Sequence, residues 1–157
     1  MPTIGHSERI IGKVSATLEI TCLECSCSSI TDQLEIQPTW TGPVETFETF
    51  GSSQDSLLRK SGCAWHYDSA SRVNSPKVSD HIQHLLSLFV PIKSRIEEMR
   101  PIPRLQVSVY WECKPTALTG LAGPELTIED LRGIVELGAD VKVKVIATDE
   151  IEGYLRK

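Results

Sequence analysis

Nine consecutive residues, Leu105 to Cys113, alternate without a break between an apolar set (Leu105, Val107, Val109, Trp111, Cys113) and Gln106, Ser108, Tyr110 and Glu112. A strand turns successive side chains to opposite faces, so a period of two belongs to a sheet with one buried face. One such strand demands partners, and the chain supplies them. Val14, Ala16, Leu18, Ile20 and Cys22 alternate with Ser15, Thr17, Glu19 and Thr21, and Val141, Val143 and Val145 alternate with Lys142 and Lys144. Cys63-Ala64-Trp65-His66-Tyr67 is a shorter run of strand-forming residues. Val44 to Phe50 adds a further segment of poorer period.

Between the strands the period changes to that of a helix. Val78, Ile82, Leu85, Leu86 and Phe89 recur at three- and four-residue spacing behind Ser75-Pro76, a capping serine and a first-turn proline. Pro91 kinks or restarts that helix, Ile92, Ile96 and Met99 continue its stripe, and Pro101 and Pro103 end it. Ser26 to Leu34 reads as a short helix resting on Ile30 and Leu34. Thr127 and Asp130 mark another helix start, Ile128, Leu131, Ile134, Val135 and Leu137 its apolar face, and Gly138 its stop. These elements predict an α+β fold: a largely antiparallel sheet of four to five strands, with two to three helices packed on one face. The domain spans 14–147, between a loose N-terminal segment, 1–13, and a C-terminal tail, 148–157.

Composition removes several classes of function. At 157 residues the chain suits one domain, and its net charge of −5 offers no phosphate-attracting surface, so nucleic acid is not an expected partner. No apolar run approaches the roughly 20 residues that cross a bilayer, and the expected location is the cytoplasm. Five cysteines, an odd number in a chain large enough for its own core, argue for reduced thiols rather than a complete disulfide framework.

Candidate chemistry centres on Cys22-x-x-Cys25 with Cys63-x-x-His66, four ligands in two pairs at structural-zinc spacing. The simpler expectation makes Cys22 and Cys63 small buried hydrophobes on neighbouring strands, with Cys25 and Cys27 at the surface or in a cap. Cys63 and His66 cannot form a nucleophilic dyad on a straight strand, because residues three apart face opposite ways. His81 and His84 read as a flank residue and an exposed histidine. Trp40, Trp65 and Tyr110 are candidate binding residues, Trp40 for its place beside Thr41-Gly42-Pro43. No phosphate loop, dinucleotide fingerprint, nucleophile elbow or zinc-protease helix is present.

Ser29-Ile30-Thr31, Leu34-Glu35-Ile36-Gln37-Pro38, the Trp65 strand, Asp80 to Leu86 and Leu126 to Leu131 leading to Leu137-Gly138-Ala139 carry a wider likeness. Over residues 14–147 the chain resembles the bacterial domain-of-unknown-function family numbered 4279. That resemblance implies an α+β fold and lends no catalytic residue; the Cys22 to Cys27 segment departs from the family pattern. The expected function is a small intracellular, non-enzymatic binding or protein-interaction module, immunity- or antitoxin-like in its most concrete form. It needs no cofactor. The acidity suits a basic protein partner, and the last strand offers an edge for a homodimer. The alternative is a metal-dependent module or enzyme built on Cys22, Cys25, Cys63 and His66 with zinc.

Overall fold

A computed structural model describes residues 11–49, 57–114 and 123–148. Within it the alternating segments become strands of one five-stranded sheet, in the order β2-β3-β1-β4-β5. The strands are β1 (Ile11–Leu23), β2 (Trp40–Thr49), β3 (Leu57–Asp68), β4 (Arg104–Cys113) and β5 (Asp140–Ala147). The β2–β3, β3–β1 and β1–β4 junctions are antiparallel, while β5 runs parallel to β4 and completes a mixed, largely antiparallel sheet.

The α-helices are α1 (Cys27–Leu34), α2 (Val78–Phe89), the short α3 (Lys93–Glu97) and α4 (Ile128–Leu137), and a 3-10 turn at Ser69–Ser71 follows β3. Pro91 separates α2 from α3 through a 3-10 turn at Val90–Ile92, since proline cannot donate to the preceding turn. The apolar sets of β1, β3 and β4 face the helices. Leu18, Ile20, Trp65, Val107, Val109 and Trp111 form one core with Ile30, Leu34, Ile82, Leu85, Phe89, Ile134 and Leu137. Each such side chain taken from water contributes about 1.5–3 kcal/mol.

Two local expectations change. The helix expected at Ser75 begins three residues later, because Ser75 donates its hydroxyl to Asp80 and accepts from the Lys77 N–H in the turn before it. The strands around the expected Val44–Phe50 and Cys63–Tyr67 segments are longer, since their backbones pair from Trp40↔His66 to Thr49↔Leu57 whatever their hydropathy pattern. Phe50, residues 1–10 of the N-terminal segment, 115–122 of the loop before α4, and 149–157 of the tail lie outside the described residues.

Under α2 a buried polar chain locks helix to sheet. His81 is fully buried, and its Nε2–H donates to the Ser75 carbonyl at 2.8 Å. Its Nδ1 shares a 2.7 Å hydrogen bond with the Ser69 hydroxyl. Ser69 Oγ in turn accepts from the Ala16 N–H of β1 at 3.0 Å. His81 is therefore structural, not a flank residue. Among the described residues no helix is long and apolar enough to cross a membrane.

Candidate functional site

The site begins with how α4 is held. Thr127 and Asp130 form a reciprocal capping box, the Asp130 N–H donating to Thr127 Oγ1 at 3.1 Å and the Thr127 N–H to Asp130 Oδ2 at 2.9 Å. Asp130 Oδ1 also accepts from Ser79 Oγ (3.0 Å) and Gln83 Nε2 (2.6 Å) of α2. Burial opposes the charged carboxyl. The hydrogen bonds from Gln83, Thr127 and Ser79 outweigh it and hold Asp130 below the usual carboxylate range. Gly133 completes the joint: a Cβ there would lie 2.3 Å from Leu86 Cδ1 of α2, so the glycine permits the close approach.

Pinned to α2 on its Gly133 side, α4 leaves a second apolar stripe on the other. Ile128, Leu131 and Val135, at i, i+3 and i+7, are all exposed. Beyond that stripe lies β5. Its register against Val107, Val109 and Trp111 turns Val141, Val143 and Val145 to the helix side of the sheet, where they remain 40–44% exposed. Lys142 and Lys144, partnered with Ser108 and Tyr110, project from the opposite face. Among the described residues six of the eight large exposed hydrophobics belong to α4 and β5, and no strand pairs with the outer edge of β5. Apolar side chains, backbone donors and acceptors and two lysines thus meet along one edge.

The helix-free face of the sheet differs in kind. Trp40, 53% exposed, lies over Gly42 and against His66, with ring centroids 4.7 Å apart. Glu19 Oε2 accepts from Gln106 Nε2 at 2.7 Å and Ser108 Oγ at 3.0 Å, and its other oxygen lies 4.0 Å from His66 Nε2. Tyr110 carries the Lys13 ammonium 5.6 Å from its ring centre, beside a polar hollow of about 300 Å³ that Glu19, Asp68, Lys142 and Lys144 also line. Trp40 and Tyr110 therefore share this face but sit toward opposite edges. Trp65 is elsewhere: it is fully buried, donates its indole N–H to Thr31 Oγ1 at 3.0 Å, and meets Phe89 edge to face. That leaves it no surface for a ligand.

The cysteines correct the expectation of reduced thiols. Cys22 is bonded to Cys25 and Cys27 to Cys63, while Cys113 is free and buried. The cause is the β1–β3 register, which sets Cys22 directly across from Cys63 at the point where the chain turns into α1. Cys22, Cys25 and Cys63 thus share one neighbourhood, but His66 does not join them; it faces the helix-free side, three residues from Cys63 on a straight strand. Cys27, not His66, completes the cluster. Among the described residues no three or more His, Cys, Asp or Glu side chains form a group able to hold a metal ion. His84 and His81 diverge as well, His84 sharing a 3.1 Å hydrogen bond with Tyr67 Oη.

Sequence reasoning assigned Ile128, Leu131, Ile134, Val135 and Leu137 to one apolar face. The structure divides them, with Ile134 and Leu137 in the core and the other three outside it. The width of the stripe is the signal: at about 100° per residue the five apolar positions spread over about 180° of the helix, wider than the roughly 100° stripe of one buried face.

The family model described as "Domain of unknown function (DUF4279)" matches residues 12–148, most of the chain. No curated protein and no solved structure matches it.

Proposed function

Since the chain belongs to this family of unknown function, whose description supplies no activity, we propose from the geometry that it is a non-enzymatic protein-interaction module accepting an extended partner segment along β5. The observation that carries the proposal is the concentration of exposed apolar side chains on α4 and β5, beside an unpaired strand edge. A strand laid there gains main-chain hydrogen bonds from β5, while pockets for alternate side chains supply specificity. Its residues on the helix side meet Val141, Val143, Val145 and the Ile128–Leu131–Val135 stripe; those on the other side meet Lys142 and Lys144. The segment that fits alternates apolar with acidic residues.

Whole-chain acidity favours a basic partner, but the charges at this edge favour an acidic one. They also disfavour a second copy. An antiparallel pairing of β5 with its own copy, related by a two-fold axis through the sheet, sets lysine against lysine, and like charges placed opposite destabilise a ladder.

Titration of isotopically labelled protein with an alternating valine–glutamate peptide of about ten residues, a little longer than a typical strand, tests the proposal. Amide shifts confined to β5 and α4 are expected, with binding about tenfold weaker or worse after the double replacement Lys142→Glu and Lys144→Glu. Shifts confined to Trp40 and His66, equal binding of a valine–lysine peptide, or a concentration-dependent dimer that excludes the peptide would each overturn it.

A further inference from the structure

The cysteine cluster is the second unexplained feature, and it is independent of the β5 edge. The chain bends out of β1 through Glu24 in a left-handed conformation (φ 64°), which brings Cys25 back onto Cys22 before α1 starts at Cys27. Opposite the bend, β3 presses close: a Cβ on Gly62 would sit 2.1 Å from the Cys22 carbonyl oxygen. Any side chain there would drive β3 away from β1 and separate Cys63 from Cys22. Each disulfide therefore pairs one buried sulfur with one at the rim. Cys22 and Cys63 are 1% exposed, whereas Cys25 and Cys27 are only partly covered. The two buried members are cross-strand partners, the relation in which Cβ atoms lie about 4.5–5.5 Å apart.

We propose that these four cysteines are a thiol–disulfide relay that takes an electron pair from a dithiol and delivers it to a rim pair, Cys25 and Cys27, while removing the covalent tie between α1 and the sheet. A donor thiolate attacks Cys25 Sγ; the Cys22–Cys25 bond breaks and Cys22 leaves as thiolate. The second thiolate of the donor displaces Cys25 from the mixed disulfide, so the donor leaves oxidised to a disulfide, having supplied two electrons and two protons. Cys22 thiolate then attacks Cys63 Sγ across the strands, and the Cys27–Cys63 bond breaks. Cys27 leaves at the first residue of α1, where the unsatisfied N–H groups of the first turn favour a thiolate. The second exchange is redox-neutral: Cys22–Cys63 replaces Cys27–Cys63, and Cys25 and Cys27 hold the two protons. The bond that tied α1 to β3 is gone, and β1 is tied to β3 instead.

Cys113 stands outside the relay. Burial, and then the neighbouring Glu112, raise its thiol pKa, and it is fully enclosed, so it serves as an unreactive internal control.

The test is graded reduction of the folded protein with dithiothreitol, an acid quench, alkylation, and mapping of the two-electron-reduced species by mass spectrometry. Labels on Cys25 and Cys27 with a surviving Cys22–Cys63 bond are expected. Labels on Cys22 and Cys25 with Cys27–Cys63 intact would overturn the relay, as would simultaneous loss of both disulfides. So would one equivalent of zinc held by all four thiolates in the protein as purified. Two variants make the test independent of the wild-type rates. Cys25→Ser should drive Cys22 onto Cys63 without any reductant and leave Cys27 as the one reactive thiol. Cys22→Ser should slow labelling of Cys27 at least about tenfold at the same dithiothreitol concentration; unchanged labelling would show that Cys22 does not pass the electrons.

Discussion

Strands β4 and β5 lie side by side with the same apolar alternation, yet Val107 and Val109 are buried whereas Val141 and Val143, turned to the same side and paired with them, are 40% and 42% exposed. What differs is the layer above them. The α2 helix lies across the centre of the sheet, bringing Val78, Ile82, Leu85 and Phe89 into the core. The α4 helix is drawn toward α2 by Asp130 and Gly133 instead of lying down on β5. Alternation tells which face of a strand is apolar; whether anything covers that face is settled by where the next helix is anchored. One half of the molecule is thus a completed core and the other an incomplete one.

The largest test of that contrast is a pair of truncations. Phe89→Ala removes a fully buried ring that meets Trp65 and Tyr67 edge to face, and it should cost about 3–5 kcal/mol in urea denaturation. Val143→Ala should change stability by no more than about 0.5 kcal/mol, the usual range for surface positions. Comparable costs at the two sites would mean that β5 is covered, and the contrast would collapse.

The covered half was the more legible from sequence. Strands β1 and β4, the α2 stripe and the Thr127, Asp130 and Gly138 signals of α4 all appear as expected, because each depends on residues close in the chain. The β2 and β3 ends escaped, since Gly42 and Pro43 interrupt any strand pattern and only pairing across the sheet defines those strands. The cysteine cluster was half legible. Spacing brought Cys22, Cys25 and Cys63 together, but choosing Cys27 over His66 requires knowing that α1 begins on the buried side of β3. The last strand was legible as an edge, but the exposure of its valine face was not, because that exposure depends on the Asp130 and Gly133 anchors, contacts 47 residues or more from their partners in the chain.

Asp130 joins the two halves, and replacing it sharpens the comparison. Asp130→Ala removes the capping box and strands the Ser79 and Gln83 donors, a loss of about 2–3 kcal/mol. Its folded pKa lies below that of the unfolded chain, so the folded state holds fewer protons here as acid is added. The contribution is therefore complete above the unfolded carboxylate pKa and disappears as pH falls through the folded one. Wild type and Asp130→Ala should converge in stability at acid pH and separate above it. Hydrogen exchange should show the loss first in α4, with α2 and β1 protected; equal loosening of α2 would make the two halves one cooperative unit.

His84 gives the smallest effect and the most local one. Burial, then Arg72 and His81, lower its pKa from the usual imidazole value, while Tyr67 Oη holds it from the β3 side. In the unfolded chain the ring takes up a proton near pH 6.5; in the folded protein it does so only at lower pH. Folding therefore carries no penalty from this ring above about pH 6.5 and loses stability as pH falls toward the folded value. His84→Gln abolishes the titration while leaving an amide able to reach Tyr67. The variant should show a flatter stability profile than wild type between about pH 5 and 7, and the difference should vanish at higher pH. Because His84 packs on Tyr67 in the completed half, protonation should leave the exchange rates of β5 unchanged. A parallel rise in β5 exchange would show that the incomplete edge draws its order from the core beside it.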